Sequence, residues 1–159
     1  MPDIYEVLRQ LNVPYTKYDH PAVFSYEDEL RLGVKVPGAT SKNLFLKNKK
    51  GDKHYLVCLE IEKRADLKKL AALLNESNLS FASPERLQKY LGVTPGSVTL
   101  LGLINDINKE VVIIIDNDLW KHDEINCHPL INTASLVFKR EDLKKFLDYC
   151  GNKIQFLNI

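Results

Sequence analysis

Lys42-Asn43-Leu44-Phe45-Leu46-Lys47, then Asn48-Lys49-Lys50-Gly51-Asp52, then His54-Tyr55-Leu56-Val57-Cys58-Leu59-Glu60-Ile61 read as strand, turn and return strand. The first run alternates as a half-buried strand does, and a polar cluster with a glycine between two apolar runs is a hairpin connection. A lysine and a carboxamide stand at the mouth of the first strand. Desolvating an ammonium is costly, so a lysine on the threshold of a core needs a partner.

Working outward, helix and strand signals alternate irregularly. Asp3 with Glu6 marks a helix start with Ile4, Val7, Leu8 and Leu11 on one face, closed by Pro14, and residues 15–18 form a short strand. Ser25 with Asp28 opens a second helix that Gly33 ends. Asp66 opens a third, with Leu67, Leu70, Ala71 and Leu74 on its apolar face, and residues 79–82 form a brief strand. Ser83-Pro84-Glu85 starts a fourth that Gly92 stops. Residues 98–104 and 111–116 read as strands joined by a second hairpin loop at 105–109. A strand over 133–138, a helix over 141–150 closed by Gly151 and a strand over 154–157 follow. The pattern predicts an α+β fold: one domain over residues 1–159, with a mixed, largely antiparallel sheet and flanking helices.

Composition narrows the functional classes. The 159 residues are 45% apolar and 27% charged, as in a soluble globular domain, and no apolar run approaches the ~20 residues of a membrane span. The N-terminal residues lack the basic and apolar regions of a signal peptide. Three cysteines without metal-ligand spacing point to reduced thiols and a cytoplasmic location. A net charge of +1 excludes binding to DNA or RNA by bulk charge, so any RNA contact rests on a local basic patch. Gly-rich phosphate loops, paired carboxylates and HExxH-type metal motifs do not occur, and neither cofactor nor metal is expected.

Several residues have two readings from pattern alone. Lys42 is either a lysine whose stem follows a sheet edge to water, or a fixed charge that stabilises an oxyanion. The segment Gly92-Val93-Thr94-Pro95-Gly96-Ser97 is a helix stop and a turn, but its glycines also expose backbone N–H groups to a ligand. Asn105 suits a turn, and His128 lies in a loop before Pro129. Cys58 and Cys150 read as core. Cys127 adjoins His128, but neighbours in an extended chain face opposite ways, so a Cys–His nucleophile is not expected. Lys47, Lys49 and Lys50 around the hairpin are the better basic cluster for RNA phosphates, ahead of Lys63, Arg64, Lys68 and Lys69.

The segments KNLFLKNKKG (42–51), LSFAS (79–83), LGVTPGSVT (91–99), GLIND (102–106) and HPLINT (128–133) together resemble the YbaK/ProX family of aminoacyl-tRNA deacylases. The resemblance covers the chain from about residue 15 to the last helix. It is strongest to the free-standing branch that resembles the editing domain of bacterial prolyl-tRNA synthetase. It implies that Lys42 is the residue on which deacylation depends, with Asn43 beside it. It implies that Gly92, Thr94, Pro95, Gly96 and Ser97 line the amino-acid pocket and hold the terminal adenosine, with Asn105 as a polar contact. It places His128 where it positions water or a ribose hydroxyl, and His20-Pro21 as architecture.

The implied function is hydrolysis in trans of mischarged tRNA for proline, with alanine as the amino acid removed, acting with prolyl-tRNA synthetase or elongation factor as transient partners. Two departures lie beside the pocket: Thr40-Ser41, where the branch reads His-Thr, and Leu100-Leu101, where Phe-Gly is common. They are compatible with hydrolysis and bear on which side chain is removed. Two other readings stay open: removal of another amino acid such as cysteine, and a non-catalytic module that binds tRNA or a free amino acid.

Overall fold

The computed structural model describes residues 2–159. Local hydrogen bonds explain where most elements begin and end. Helix α1 (Ile4–Gln10) starts at Asp3, whose carboxylate accepts from the Tyr5 and Glu6 N–H groups. Strand β1 (Thr16–Asp19) leads to α2 (Tyr26–Leu32), capped by Ser25 and ended by Gly33 in the left-handed conformation. The hairpin follows as β2 (Ala39–Asn48) and β3 (His54–Glu60). Asn48 knits its turn: Oδ1 accepts from the N–H groups of Gly51, Asp52 and Lys53 at 2.9, 3.1 and 3.2 Å. Asp66 caps α3 (Leu67–Leu73), and after β4 (Leu79–Phe81) Ser83 caps α4 (Pro84–Leu91). Two 3-10 helices, Pro95–Ser97 and Leu100–Asn105, precede β5 (Val111–Asp116) and α5 (Asn117–Trp120). The chain ends with β6 (Glu124–Cys127), β7 (Ala134–Lys139), α6 (Arg140–Cys150) and β8 (Ile154–Leu157).

The strands form one mixed sheet in the order β1-β7-β6-β2-β3-β5-β8, with β4 also paired to β2. Four pairings are antiparallel and three parallel. Alternation along β2 and β3 sends side chains to two apolar layers. Phe45, Leu56 and Cys58 join the larger core with Ile113, Ile115, Phe138 and the inner faces of α1, α4 and α6. Leu46, Tyr55, Val57 and Leu59 pack with Ile114 and the α3 residues Leu70 and Ala71. Strands covered on both faces read as near-continuous apolar runs, as β3 and β5 do.

The strand expected over 98–104 is absent, and with it the second hairpin. Thr99 Oγ1 instead accepts from Leu101 N–H at 3.2 Å and caps a 3-10 helix. An apolar run without a clear period does not distinguish a strand from a tight helix whose every side chain is buried. Leu100, Leu101 and Leu103 are all buried, and a Cβ at Gly102 would stand 3.0 Å from the Leu91 carbonyl oxygen, so the run lies directly against the end of α4. Two further elements, α5 and β6, were not expected. β6 is short, with two polar residues among its four, and is held by its neighbours: it pairs with β7, and its Ile125 and Asn126 pair with Ala39 and Thr40.

Candidate active site

The site arises from how β2 is shared. One edge of β2 pairs with β3 from Ser41 to Lys47. The other pairs with β6 only at Ala39 and Thr40, and with β4 only at Leu46–Asn48. Between these contacts β6 and β4 diverge, and a cleft of about 290 Å³ opens beside the stretch they leave. Thr40, Ser41, Lys42 and Asn43 form its floor. Pro95, Gly96, Val98 and His128 line it too, and so does Ile61. The segment entering α2 supplies Val23, Phe24, Ser25 and Tyr26, with Glu29 one turn on.

Lys42 is half-buried, and its Nζ donates to the main-chain oxygen of Lys63 at 2.6 Å. That partner is a neutral carbonyl, so it orients the ammonium without neutralising its charge. An ammonium has three donors, and two remain for a substrate. Asn43 follows Lys42 in β2 and also lines the cleft. Its Nδ2 donates to the Val98 carbonyl at 3.2 Å and its Oδ1 accepts from Ser41 Oγ at 3.0 Å. Asn43 therefore ties the Pro95–Val98 wall to the floor beside Lys42.

His128 lies within 2.9 Å of the Ala134 carbonyl through Nδ1. A carbonyl only accepts, so Nδ1 carries the hydrogen and Nε2 is left as an acceptor. Burial pushes the His128 pKa down, and His20 adds to this, against the opposing effect of the Ala134 bond. The ring is neutral near pH 7. Its own carbonyl accepts from Thr99 Oγ1 at 2.7 Å, which fixes the loop to the 3-10 helix. His20 stands edge-on to His128 with ring centres 6.0 Å apart, and its Nε2 lies 2.9 Å from Ser135 Oγ.

The expected site residues do not all meet in one place. Lys42, Asn43, Pro95, Gly96 and His128 meet at the cleft, and so do Thr40 and Ser41. Gly92, Thr94 and Ser97 build the wall from behind: Gly92 ends α4 at φ 66°, and the Thr94 carbonyl accepts from Ser97 N–H at 2.9 Å. Asn105 lies outside the cleft lining, with Nδ2 donating to the Leu91 carbonyl at 2.9 Å. Leu100 and Leu101 are in the core. Lys49 and Lys50 are exposed at the hairpin tip, seven residues along from Lys42, roughly 23 Å at strand spacing. Cys127 is buried, and loss of solvent pushes its thiol up to about 12, so it is no nucleophile.

Val23, Phe24, Tyr26 and Glu29 line the cleft with no counterpart in what the sequence pointed to, and Glu29 is the single carboxylate among the cleft-lining residues. Burial raises its pKa, with His20 opposing. With Glu27 and Asp28 it forms the acidic first turn of α2, which reads as ordinary compensation of a helix N-terminus.

A floor lysine held by a carbonyl, a neutral histidine and glycine-bearing backbone around a small cleft suit attack of water on an ester. Comparison with known proteins agrees. The family model of the aminoacyl-tRNA editing domain matches residues 20–146, and the chain belongs to this family. It is a hydrolase acting on the aminoacyl ester of tRNA. Over 152 residues it is 36% identical to the prolyl-tRNA editing protein ProX of Acetoanaerobium sticklandii, covering 96% of this chain and 93% of that one. The prolyl-tRNA synthetase associated domain-containing protein 1 of Danio rerio is 34% identical, covering 92% of this chain and 80% of its own. The fold is that of a crystal structure proposed as a trans-editing enzyme for prolyl tRNA synthetase, with TM-score 0.69, 22% identity, and 100% and 98% of the two chains covered.

Proposed function

We propose that this protein removes alanine from mischarged tRNA for proline, acting in trans in the cytoplasm. The observation that carries the reading is the Lys42 ammonium, fixed by a neutral carbonyl on the cleft floor within a lining that includes His128 and Gly96. An aminoacyl ester is already activated, so the site needs a placed water, a cation near the carbonyl and a small pocket. Lys42 stabilises the negative charge that develops on the carbonyl oxygen. His128 Nε2 accepts a hydrogen bond from the attacking water or the vicinal ribose hydroxyl. Glu29 receives the α-ammonium of the aminoacyl group, and Val23, Phe24 and Val98 surround its side chain. Lys47, Lys49 and Lys50 contact phosphates of the acceptor end, with prolyl-tRNA synthetase or elongation factor as a transient neighbour.

The names of the two relatives, a prolyl-tRNA editing protein and a prolyl-tRNA synthetase associated domain-containing protein, support the link to proline. The biological need is physical: a synthetase site rejects a side chain smaller by one or two methylenes by only roughly 1–3 kcal/mol, so a second site that admits the small residue and excludes the proline ring adds the missing selectivity.

The test is deacylation of tRNA for proline charged with alanine, cysteine, serine or proline, by wild type and Lys42→Ala. Selective loss of alanine that falls at least ~100-fold in the variant supports the reading. Preferential loss of cysteine reassigns the substrate and keeps the mechanism. Survival of every ester at its spontaneous rate, with the protein folded, leaves a binding module instead.

A further inference from the structure

We propose that Lys63 is a positioning residue for Lys42, and that the ion cluster Lys63–Asp116–Asp118 exists to hold the carbonyl that aims the cleft ammonium. This rests on the deacylase reading of the cleft. Lys63 lies in the turn after β3, where its N–H donates to the Glu60 carbonyl at 3.0 Å. A turn so placed, with Glu62 and Arg64 exposed on either side, has little apolar packing to keep it still. Yet it carries the oxygen that receives Lys42 Nζ at 2.6 Å. A lysine side chain has four flexible torsions, so its ammonium is placed only as well as its acceptor is placed.

The Lys63 side chain provides that placement. Its Nζ donates to Asp116 Oδ1 at 2.9 Å, Asp118 Oδ2 at 2.7 Å and the Ile159 main-chain oxygen at 2.9 Å. All three donors of the ammonium are used. Asp116, at the end of β5, is fully buried and fixed in turn. Its Oδ2 accepts from Glu60 N–H at 3.2 Å and its Oδ1 from Asp118 N–H at 3.1 Å. Burial works against the Lys63 charge, but Asp118 and Asp116 outweigh it and hold its pKa above the ordinary lysine value. The two lysines therefore divide the work. Lys63 commits its whole side chain to the scaffold and offers its carbonyl, and Lys42 keeps two donors for chemistry. A cluster that merely stapled the turn for stability would leave the rate per folded molecule unchanged.

The experiment measures kcat and KM for alanyl-tRNA in wild type, Lys63→Met, Lys63→Arg, Asp118→Asn, Lys42→Ala and Lys42→Ala/Lys63→Met, with thermal melts for each. Lys63→Met is expected to lower kcat by about 10–100-fold, with KM nearly unchanged, because the loss is of alignment. Lys63→Arg restores most of the rate, since a guanidinium still bridges two carboxylates. In the Lys42→Ala background Lys63→Met adds no further loss. Asp118 is partly exposed, so Asp118→Asn loosens one arm of the clamp without stranding a buried charge; it lowers kcat less. Wild-type kcat in both Lys63→Met and Asp118→Asn, or an additive loss in the double variant, overturns the proposal.

A second readout is independent of activity. Carbon relaxation at Lys42 Cε should report a rigid side chain in wild type and Lys63→Arg, and a mobile one in Lys63→Met. Equal mobility in all three sinks the positioning role even if the deacylase reading stands. Inactive wild type with this mobility pattern intact overturns the function and leaves the positioning in place.

Discussion

The Phe24 ring lies against Gly96 across the mouth of the cleft: a Cβ built at Gly96 would stand 2.8 Å from Phe24 Cδ1 and 3.3 Å from its Cε1. The two residues come from opposite walls, one before α2 and the other in the 3-10 helix after α4. Phe24 is 72% exposed, so its ring is free to swing aside when crowded. Gly96→Ala therefore has little effect on stability and a larger one on the pocket. A melting temperature near that of wild type is expected, with KM for alanyl-tRNA raised roughly 3–10-fold, equivalent to about 1 kcal/mol of lost contact. Phe24→Ala should raise KM similarly, and adding Gly96→Ala to it should change nothing further. A large loss of stability in Gly96→Ala would instead make the glycine a folding requirement.

Much of this arrangement is legible in the sequence because the signals are local. Asp3, Ser25, Asp66 and Ser83 cap their own helices, and Gly33, Gly92 and Gly151 end theirs in the left-handed conformation. Lys42, Asn43, Pro95, Gly96 and His128 sit in compact motifs that carry the family likeness. What depends on distant neighbours is hidden. The 98–104 run becomes helical because it packs on the end of α4, and β6 exists because β2 and β7 pair with it. Asn105 looks like a hairpin-turn residue, yet its amide serves the Leu91 carbonyl 14 residues away. Lys63 acts through a carbonyl, which every residue has, so no side-chain pattern announces it.

His54 links the basic end of the hairpin to stability at acid pH. It is 2% exposed, with its ring 5.5 Å from that of Phe45 and 4.3 Å from that of Tyr90. Arg86 Nη1 donates to its Nε2 at 2.9 Å. Burial, then the charges of Arg86, Lys89 and Lys47, bring its pKa down to about 4. The unfolded chain takes up this proton near 6.5, so between the two values it binds more protons than the folded chain does. Stability therefore falls as pH drops from about 6.5 towards 4. His54→Gln keeps an acceptor for Arg86 and does not titrate. Melts across this range should show a shallower decline in the variant, the difference reaching on the order of 1–3 kcal/mol. Parallel curves would show that His54 titrates alike in both states.

Glu29 gives the cleft a second, opposite test. Unlike Lys42 it is an anion, and the aminoacyl ester brings one cation, its α-ammonium, that must be recognised. A charged hydrogen bond of this kind is worth about 1.5–3 kcal/mol, so Glu29→Gln should raise KM by roughly 10-fold or more while kcat stays close to wild type. Burial holds the Glu29 pKa above the ordinary glutamate value. The carboxylate is therefore lost earlier on acidification than an exposed one, and wild-type KM should climb as pH falls through that range. Glu29→Gln has no such titration, and its KM should stay flat there. An N-acetylated alanyl ester has no ammonium to bind, and wild type and variant should hydrolyse it alike. Equal KM values for wild type and Glu29→Gln on the free-amine ester, at every pH, would place the ammonium against the backbone carbonyls of the opposite wall and leave Glu29 as part of the α2 cap.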